Sequence, residues 1–264
     1  MPDAALSVIP LGGVEEIGLN MTVLEYGEDM IIIDAGLMFP QEDMHGIDFV
    51  IPDFTYVLEN REKLRGIIIS HGHEDHTGAL PFLLKELKVP VYGTPLTLGL
   101  VKEKLLEHKI DDIDLVSVRP RDVITLGVFE VEFIRVTHRI VDGVGFGIRT
   151  PEGLVVHTGD FKLDPTPVDG QLMDFHRFSE YGEKGTILLL SDSTNAERGG
   201  FTFSEKEVRR SFEHIFSSSK GRIIIATFAS NIHRIQQAID VAAMFGRKVI
   251  LSGRSIVSNA QIAL

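Results

Sequence analysis

Ser70-His71-Gly72-His73-Glu74-Asp75-His76-Thr77 stands directly behind the apolar run Gly66-Ile67-Ile68-Ile69. His71, His73, Asp75 and His76 place four potential metal ligands within six residues. If the strand carries on through the motif, side chains alternate faces, so His71 and His73 point the same way and can grip one ion together. Gly72 leaves room between them. The chain must then turn, because residues 77–87 read as a helix with Pro81 in its first turn. Asp75 and His76 are left at the strand-to-helix corner, from which they can face a second ion. Imidazole with carboxylate and no thiolate suits zinc or manganese in an open catalytic site, and the chain has no Cys. A solvated His-rich loop is the competing reading. The strand before, the helix after and the interposed Gly weigh against it.

The 264 residues, 44% hydrophobic, suffice for one large domain or for one plus part of another. No apolar run approaches the roughly 18 residues that a membrane span needs, and Met1-Pro2-Asp3-Ala4 lacks the start of a signal peptide. The expectation is a cytoplasmic chain without a membrane partner. The formal net charge of -12 conceals an asymmetry. Residues 197–264 hold ten Lys or Arg against five Asp or Glu, whereas the preceding body holds 16 against 33. A polyanion would meet the basic end first.

Residues 6–13 and 20–26 read as a hairpin, and residues 30–36 as a buried strand ending at Asp34. A loop through residues 56–60 leads to the His motif. Residues 89–92 read as a short strand and 95–107 as a helix. Residues 129–136 alternate strictly, as a half-exposed strand does, and end at Thr137-His138. A turn at Pro151-Glu152-Gly153 joins strand 145–149 to strand 154–160, which ends at Asp160. Strands that each deliver a ligand at one end build a site on one sheet edge. Beyond them, residues 187–192 read as a buried strand. Ser204 and Glu207 form a capping box with Phe203 and Val208 as its staple. Strand 222–227, helix 232–245 and strand 248–252 make a βαβ unit. A domain boundary is expected near residue 200, at Arg198-Gly199-Gly200. His157 lies three residues before Asp160 and should face the other way. His45, His108, His176 and His214 have no partnering pattern. Ser230, Asn231 and His233 open a helix, where free backbone N–H groups favour an anion such as a phosphate as much as plain capping.

The collected residues resemble the metallo-β-lactamase-fold nucleases of the β-CASP group, the ribonuclease J family. Asp34, the His71–His76 cluster, His138 and Asp160 carry the general resemblance. Residues 35–40, 157–162, 191–198 (Ser191-Asp192-Ser193-Thr194-Asn195-Ala196-Glu197-Arg198) and 226–237 carry the narrower one. It implies an α/β fold: a metallo-β-lactamase αββα sandwich over residues 1–200, followed by the start of a Rossmann-like β-CASP domain over residues 201–264. It further implies that His71, His73 and His138 hold one divalent ion, that Asp75 and His76 hold a second, and that Asp160 bridges them, with zinc favoured over manganese. Asp34 would orient a ligand His, and Asp75 and Asp192 would be catalytic, Asp192 supporting proton transfer to the leaving oxygen. The implied activity is hydrolysis of RNA phosphodiester bonds, from the 5′ end or internally, in RNA processing and decay. The implied partners are RNA, further copies of the chain in dimers or tetramers, and other RNA-decay enzymes. Thioesterase- or lactamase-type hydrolysis and a non-catalytic RNA- or protein-binding scaffold are the other readings.

Two departures stand out. Where the family reads Thr-His-Ser-Ile-Pro-Asp-Ser, this chain has Thr137-His138-Arg139-Ile140-Val141-Asp142-Gly143, which puts a long cation beside a ligand His. The resemblance also implies a further ligand His and two more motifs beyond residue 264.

Overall fold

Which side chains each strand buries fixes the order of the layers. A computed structural model describes residues 5–200 and 202–263, so the reading of Met1–Ala4 lies outside the described residues. The first sheet runs β1 (Leu6–Gly12), β2 (Met21–Tyr26), β3 (Asp29–Ile33), β4 (Leu64–Ile68), β5 (Val91–Gly93) and β6 (Leu115–Ser117), in that order. β1, β2 and β3 are antiparallel neighbours, and β3 to β6 are parallel. The second sheet comprises β7 (Val123–Leu126), β8 (Phe129–Arg135), β9 (Val144–Thr150), β10 (Gly153–His157) and β11 (Thr186–Leu190), with β11 parallel to β10 at one edge.

The period of two sorts β3 cleanly: Met30 and Ile32 face one core, Ile31 and Ile33 another. The second of these cores joins Leu24, Ile31, Ile33 and Ile68 to Phe129, Phe133, Phe146 and Ile148, so it lies between the two sheets. The first core is closed by Leu80 and Leu83 of α3 (Leu80–Glu86) and Val101 and Leu105 of α4 (Pro95–Glu107). On the far side of the second sheet, Ile134, Leu154 and Val156 pack on Tyr181 of α5 (Phe175–Lys184). The result is the expected αββα order. Each fully buried Ile or Phe here contributes on the order of 1.5–3 kcal/mol.

Local departures have physical causes. Residues 55–59 form a short helix, α1 (Thr55–Glu59), instead of a loop. The strand before the His motif stops at Ile68, and a four-residue turn of helix, α2 (Glu74–Thr77), precedes α3. β8 is buried on both faces, because α5 covers the side that was expected to be open. Glu132, 2% exposed, is held there by Arg177 Nε at 2.8 Å and by the Tyr181 hydroxyl at 2.5 Å. β11 is the converse: as an edge strand it buries Leu188 and Leu190 against the inter-sheet core while Ile187 and Leu189 are exposed.

The last third is helical: α6 (Glu205–Ser218), α7 (Ile232–Met244) and α8 (Arg254–Ala263). Ser204 caps α6 by accepting the Lys206 N–H, but Glu207 pairs with Arg210 and does not close the capping box. α6 and α7 share a small core of Phe216, Val241 and Ala242. Residues 222–227 and 248–252 run without strand hydrogen bonds among the described residues, and Ile224 and Ile250 are largely exposed. An apolar run becomes a strand only beside a neighbour that takes its N–H and C=O groups.

Candidate metal centre

β3 and β4 end side by side, and the site begins where they stop. Asp34, one residue past β3, takes φ 60°, a left-handed turn that swings its carboxylate under the His motif. There Asp34 Oδ1 accepts the Ser70 N–H at 2.7 Å, and Oδ2 meets the Ser70 hydroxyl and His76 Nδ1, each at 2.7 Å. Ser70 Oγ lies 3.0 Å from His71 Nδ1. With its hydroxyl proton on Asp34, Ser70 accepts from His71 Nδ1–H. One carboxylate thereby fixes the tautomers of two imidazoles and leaves both Nε2 atoms facing the open side.

His71 Nε2 lies 2.9 Å from His73 Nδ1, so the pair converges as expected, although the cause is the bend ahead of α2 and not a continuing strand. Gly72 fits because a side chain there would strike Leu100 of α4. His138, beyond β8, brings Nε2 to 3.3 Å from His73 Nδ1, and Arg139 does not displace it. Asp160, in the loop after β10, faces both halves. Its Oδ2 lies 3.7 Å from His138 Nε2, and its Oδ1 lies 3.4 Å from His76 Nε2. Two donor groups result: His71, His73 and His138, and His71, His76 and Asp160. Asp75 stands at the edge, with Oδ2 3.6 Å from His76 Nε2.

Burial sets the charges. It drives His71 well below the ordinary imidazole range, with the neighbouring His76, His73 and His138 adding to the shift. Burial also takes His138 down to about 3 against the pull of Asp160. Burial alone would raise Asp160, but the hydrogen bond and charge of His76, with His138 and His73, hold it at about 2. His76 is the exception. Burial opposes its proton, but Asp34 and Asp160 on either side hold it well above the ordinary value. Three neutral imidazoles and a carboxylate converging within ligand distance fit a divalent cation of borderline softness.

Sequence reasoning missed two residues. Ser70 carries the link from Asp34 to His71. Asn20 holds the Asp75 carbonyl through its backbone N–H at 3.1 Å and its Nδ2 at 3.0 Å, and its Nδ2 also lies 3.2 Å from His76 Nε2. Ser70 was visible as the residue between strand and motif, whereas nothing local marks Asn20.

Residues 16–225 match the metallo-β-lactamase superfamily, and residues 220–264 match the β-CASP domain of ribonuclease J. The chain belongs to the metallo-β-lactamase superfamily. Within that superfamily it is 47% identical over 262 residues to a ribonuclease J of Helicobacter pylori, a match covering 98% of this chain and 38% of the relative. A ribonuclease J of Thermus thermophilus is 45% identical, over 100% of this chain and 47% of the relative. The chain thus spans less than half the length of these relatives. A solved protein of unknown function from Enterococcus faecalis has a similar fold, with TM-score 0.68, 18% identity, and coverage of 94% of this chain and 71% of that one.

The remaining predicted residues lie outside the donor groups. Asp192, beyond β11, spends its carboxylate on the N–H groups of Phe161 at 3.3 Å and Thr194 at 2.8 Å, directly behind the Asp160 loop. His157 Nδ1 accepts the Gly159 N–H at 3.0 Å and takes no part in the cluster. Asn231 caps α7, its side chain accepting the Arg234 N–H at 3.1 Å. His233 shares with His138, Lys162 and Glu205 the lining of a cavity of about 360 Å³, its Nε2 3.6 Å from Asp169. Ser230 precedes the cap. Among the described residues no helix is long and apolar enough to cross a membrane.

Proposed function

We propose that the protein is a ribonuclease J type enzyme that hydrolyses RNA phosphodiester bonds with two divalent cations, zinc favoured, acting from the 5′ end, internally, or both. The observation that carries this reading is the posture of Asp160, one oxygen toward His138 and the other toward His76, as a carboxylate shared by two adjacent sites would stand. His71, His73 and His138 would hold one cation, and His76 and Asp75 the other. When bound, such a pair activates water as a nucleophile and neutralises charge developing on phosphoryl oxygens.

The chain's own groups then have separate tasks. Asp34 and Ser70 keep the ligand imidazoles in the tautomers that present Nε2. Asp192 supports proton transfer to the leaving oxygen, its place behind Asp160 being the support for that role. Ser230, Asn231 and His233 hold the RNA backbone near the cavity that His233 shares with His138. Residues 201–264 form the beginning of the β-CASP domain, and Arg198, Lys206, Lys220, Arg222, Lys248 and Arg254, which make no ion pair among the described residues, supply its attraction for a polyanion. The reading includes a cytoplasmic setting and assembly into dimers or tetramers, with other RNA-decay enzymes as partners. The test is RNA cleavage alongside metal content for the parent, Asp160→Ala and His76→Ala. Full cleavage by either variant would refute the two-metal reading, and a parent with no bound metal and no cleavage would favour an RNA-binding scaffold.

A further inference from the structure

The loop that delivers His138 also carries an arginine that the metal centre does not use. His138 turns into the donor cluster. Two residues on, Ile140 is 2% exposed and packs with Leu96 and Leu100 of α4 and with Ile232, the first residue of α7. The loop is closed behind them, Val136 N–H donating to Gly143 O at 3.0 Å. With its neighbours on both sides fixed inward, residue 139 is left on the outside, and Arg139 is exposed.

Among the described residues Arg139 makes no hydrogen bond and no ion pair. Several arginines elsewhere are committed, Arg177 to Glu132 and Glu180, Arg121 to Asp174, Arg65 to Asp29 and Arg234 to Glu205, whereas Arg139, like Arg198, Arg222 and Arg254, makes no ion pair among the described residues. The acids nearest in the site do not claim it either, since Asp160 faces imidazoles and Asp75 faces His76. It is nonetheless the chain neighbour of His138, whose Nε2 lies 3.3 Å from His73 Nδ1. A phosphate lying between an unpaired guanidinium and a cation site attracts both and offsets their mutual repulsion, and the guanidinium fork matches two phosphate oxygens.

We propose that Arg139 is a positioning residue that grips a backbone phosphate next to the one being cleaved, holding single-stranded RNA at the mouth of the metal centre. This rests on the nuclease reading above.

The test measures binding of a short single-stranded phosphorothioate oligoribonucleotide to the intact, metal-loaded protein across a salt series, with metal content determined in parallel. Arg139→Gln should weaken binding about five- to tenfold and flatten the slope of log affinity against log salt by about 0.7, the loss of one phosphate contact on a single strand. Arg139→Lys should recover part of both, Arg139→Ser neither, and all three should keep the parental metal content. In cleavage assays the rise in KM should carry most of the fall in kcat/KM. Parental affinity and slope in Arg139→Gln would overturn the inference alone, as would loss of metal from that variant, which would mark a structural role. A parent that neither binds nor cleaves RNA would overturn the nuclease reading and this inference with it.

Discussion

Replacing Gly36 by alanine should displace the Asp75–His76 side of the candidate metal centre without changing any candidate ligand. An added Cβ would lie 1.6 Å from the Asp75 carbonyl oxygen and 2.1 Å from its carbon, far inside contact distance. Both atoms are backbone, so a segment must move and not a side chain. The bonds that hold α2 in place cross the same seam: Ala35 N–H to His76 O at 2.8 Å, Asn20 N–H to Asp75 O at 3.1 Å, and Leu37 N–H to Glu74 O at 3.0 Å. Losing two of the three, at roughly 1–3 kcal/mol each where the groups stay buried, gives about 2–6 kcal/mol. At about 2–4 °C per kcal/mol for a chain of this size, the melting temperature should fall by roughly 10 °C. A displacement of about 1 Å in Asp75 and His76 should cost on the order of a hundredfold in activity. Thermal unfolding and elemental metal analysis of purified Gly36→Ala measure the two consequences. A variant with the parental melting temperature and full metal content would show that α2 is not anchored through this contact.

Ser70→Ala removes the link from Asp34 to His71 while leaving every donor atom in place, and metal affinity measured by competition with a chelator should fall about 10- to 100-fold. Glu132→Gln tests the buried network under α5. Burial would raise the Glu132 carboxyl, but hydrogen bonds from Arg177 and Tyr181 and the charges of Arg177 and Arg121 hold it below its ordinary value of 4.5. A depressed carboxyl adds stability that is present above pH 4.5 and is lost as pH falls through the lower folded value, so the variant should be less stable at neutral pH and have a flatter acid limb in urea titrations. Asn231→Ala should lower stability by about 1 kcal/mol through the lost cap. Asn231→Ser keeps a cap and should restore most of that stability; RNA affinity lost in both variants would separate a phosphate contact from capping.

Sequence alone revealed what is local or periodic. The His71–His76 motif announced itself because four donors fall within six residues, and Met30–Ile33 declared a two-faced strand because every position is apolar. The helix at Pro95–Glu107 was legible to the residue from its proline start. What stayed hidden depends on partners distant in the chain. Asn20 meets Asp75 across 55 positions, and Glu132 meets Arg177 across 45, so the strict alternation of β8 looked half-exposed when α5 had in fact closed its polar face with an ion pair. The same limit misled in the other direction at residues 187–190 and 222–227. Apolar composition suggested a buried strand at the first and a strand at the second, but burial and strand pairing are properties of neighbours. β11 has a sheet on only one side, and residues 222–227 have no strand beside them among the described residues.

The arrangement of strands explains why so few side chains suffice for the centre. β3 and β4 run parallel, β8 and β10 both run antiparallel to β9, and β11 runs parallel to β10. Asp34, His71, His138, Asp160 and Asp192 each follow the C-terminal end of one of these strands, so both sheets discharge their polar residues at the same end of the sandwich. The two edges are pinned together there by Val144 N–H donating to Ser70 O at 2.9 Å, and Gly159 packs where a side chain would crowd the Ser70 Cβ at 3.2 Å. Ser70 therefore does two jobs: its carbonyl ties the second sheet to the first, and its hydroxyl ties His71 to Asp34. A change that separates the sheets must move His71 relative to His138 and Asp160 at once, so the spacing of the donor groups is set by the inter-sheet core as much as by the ligands themselves.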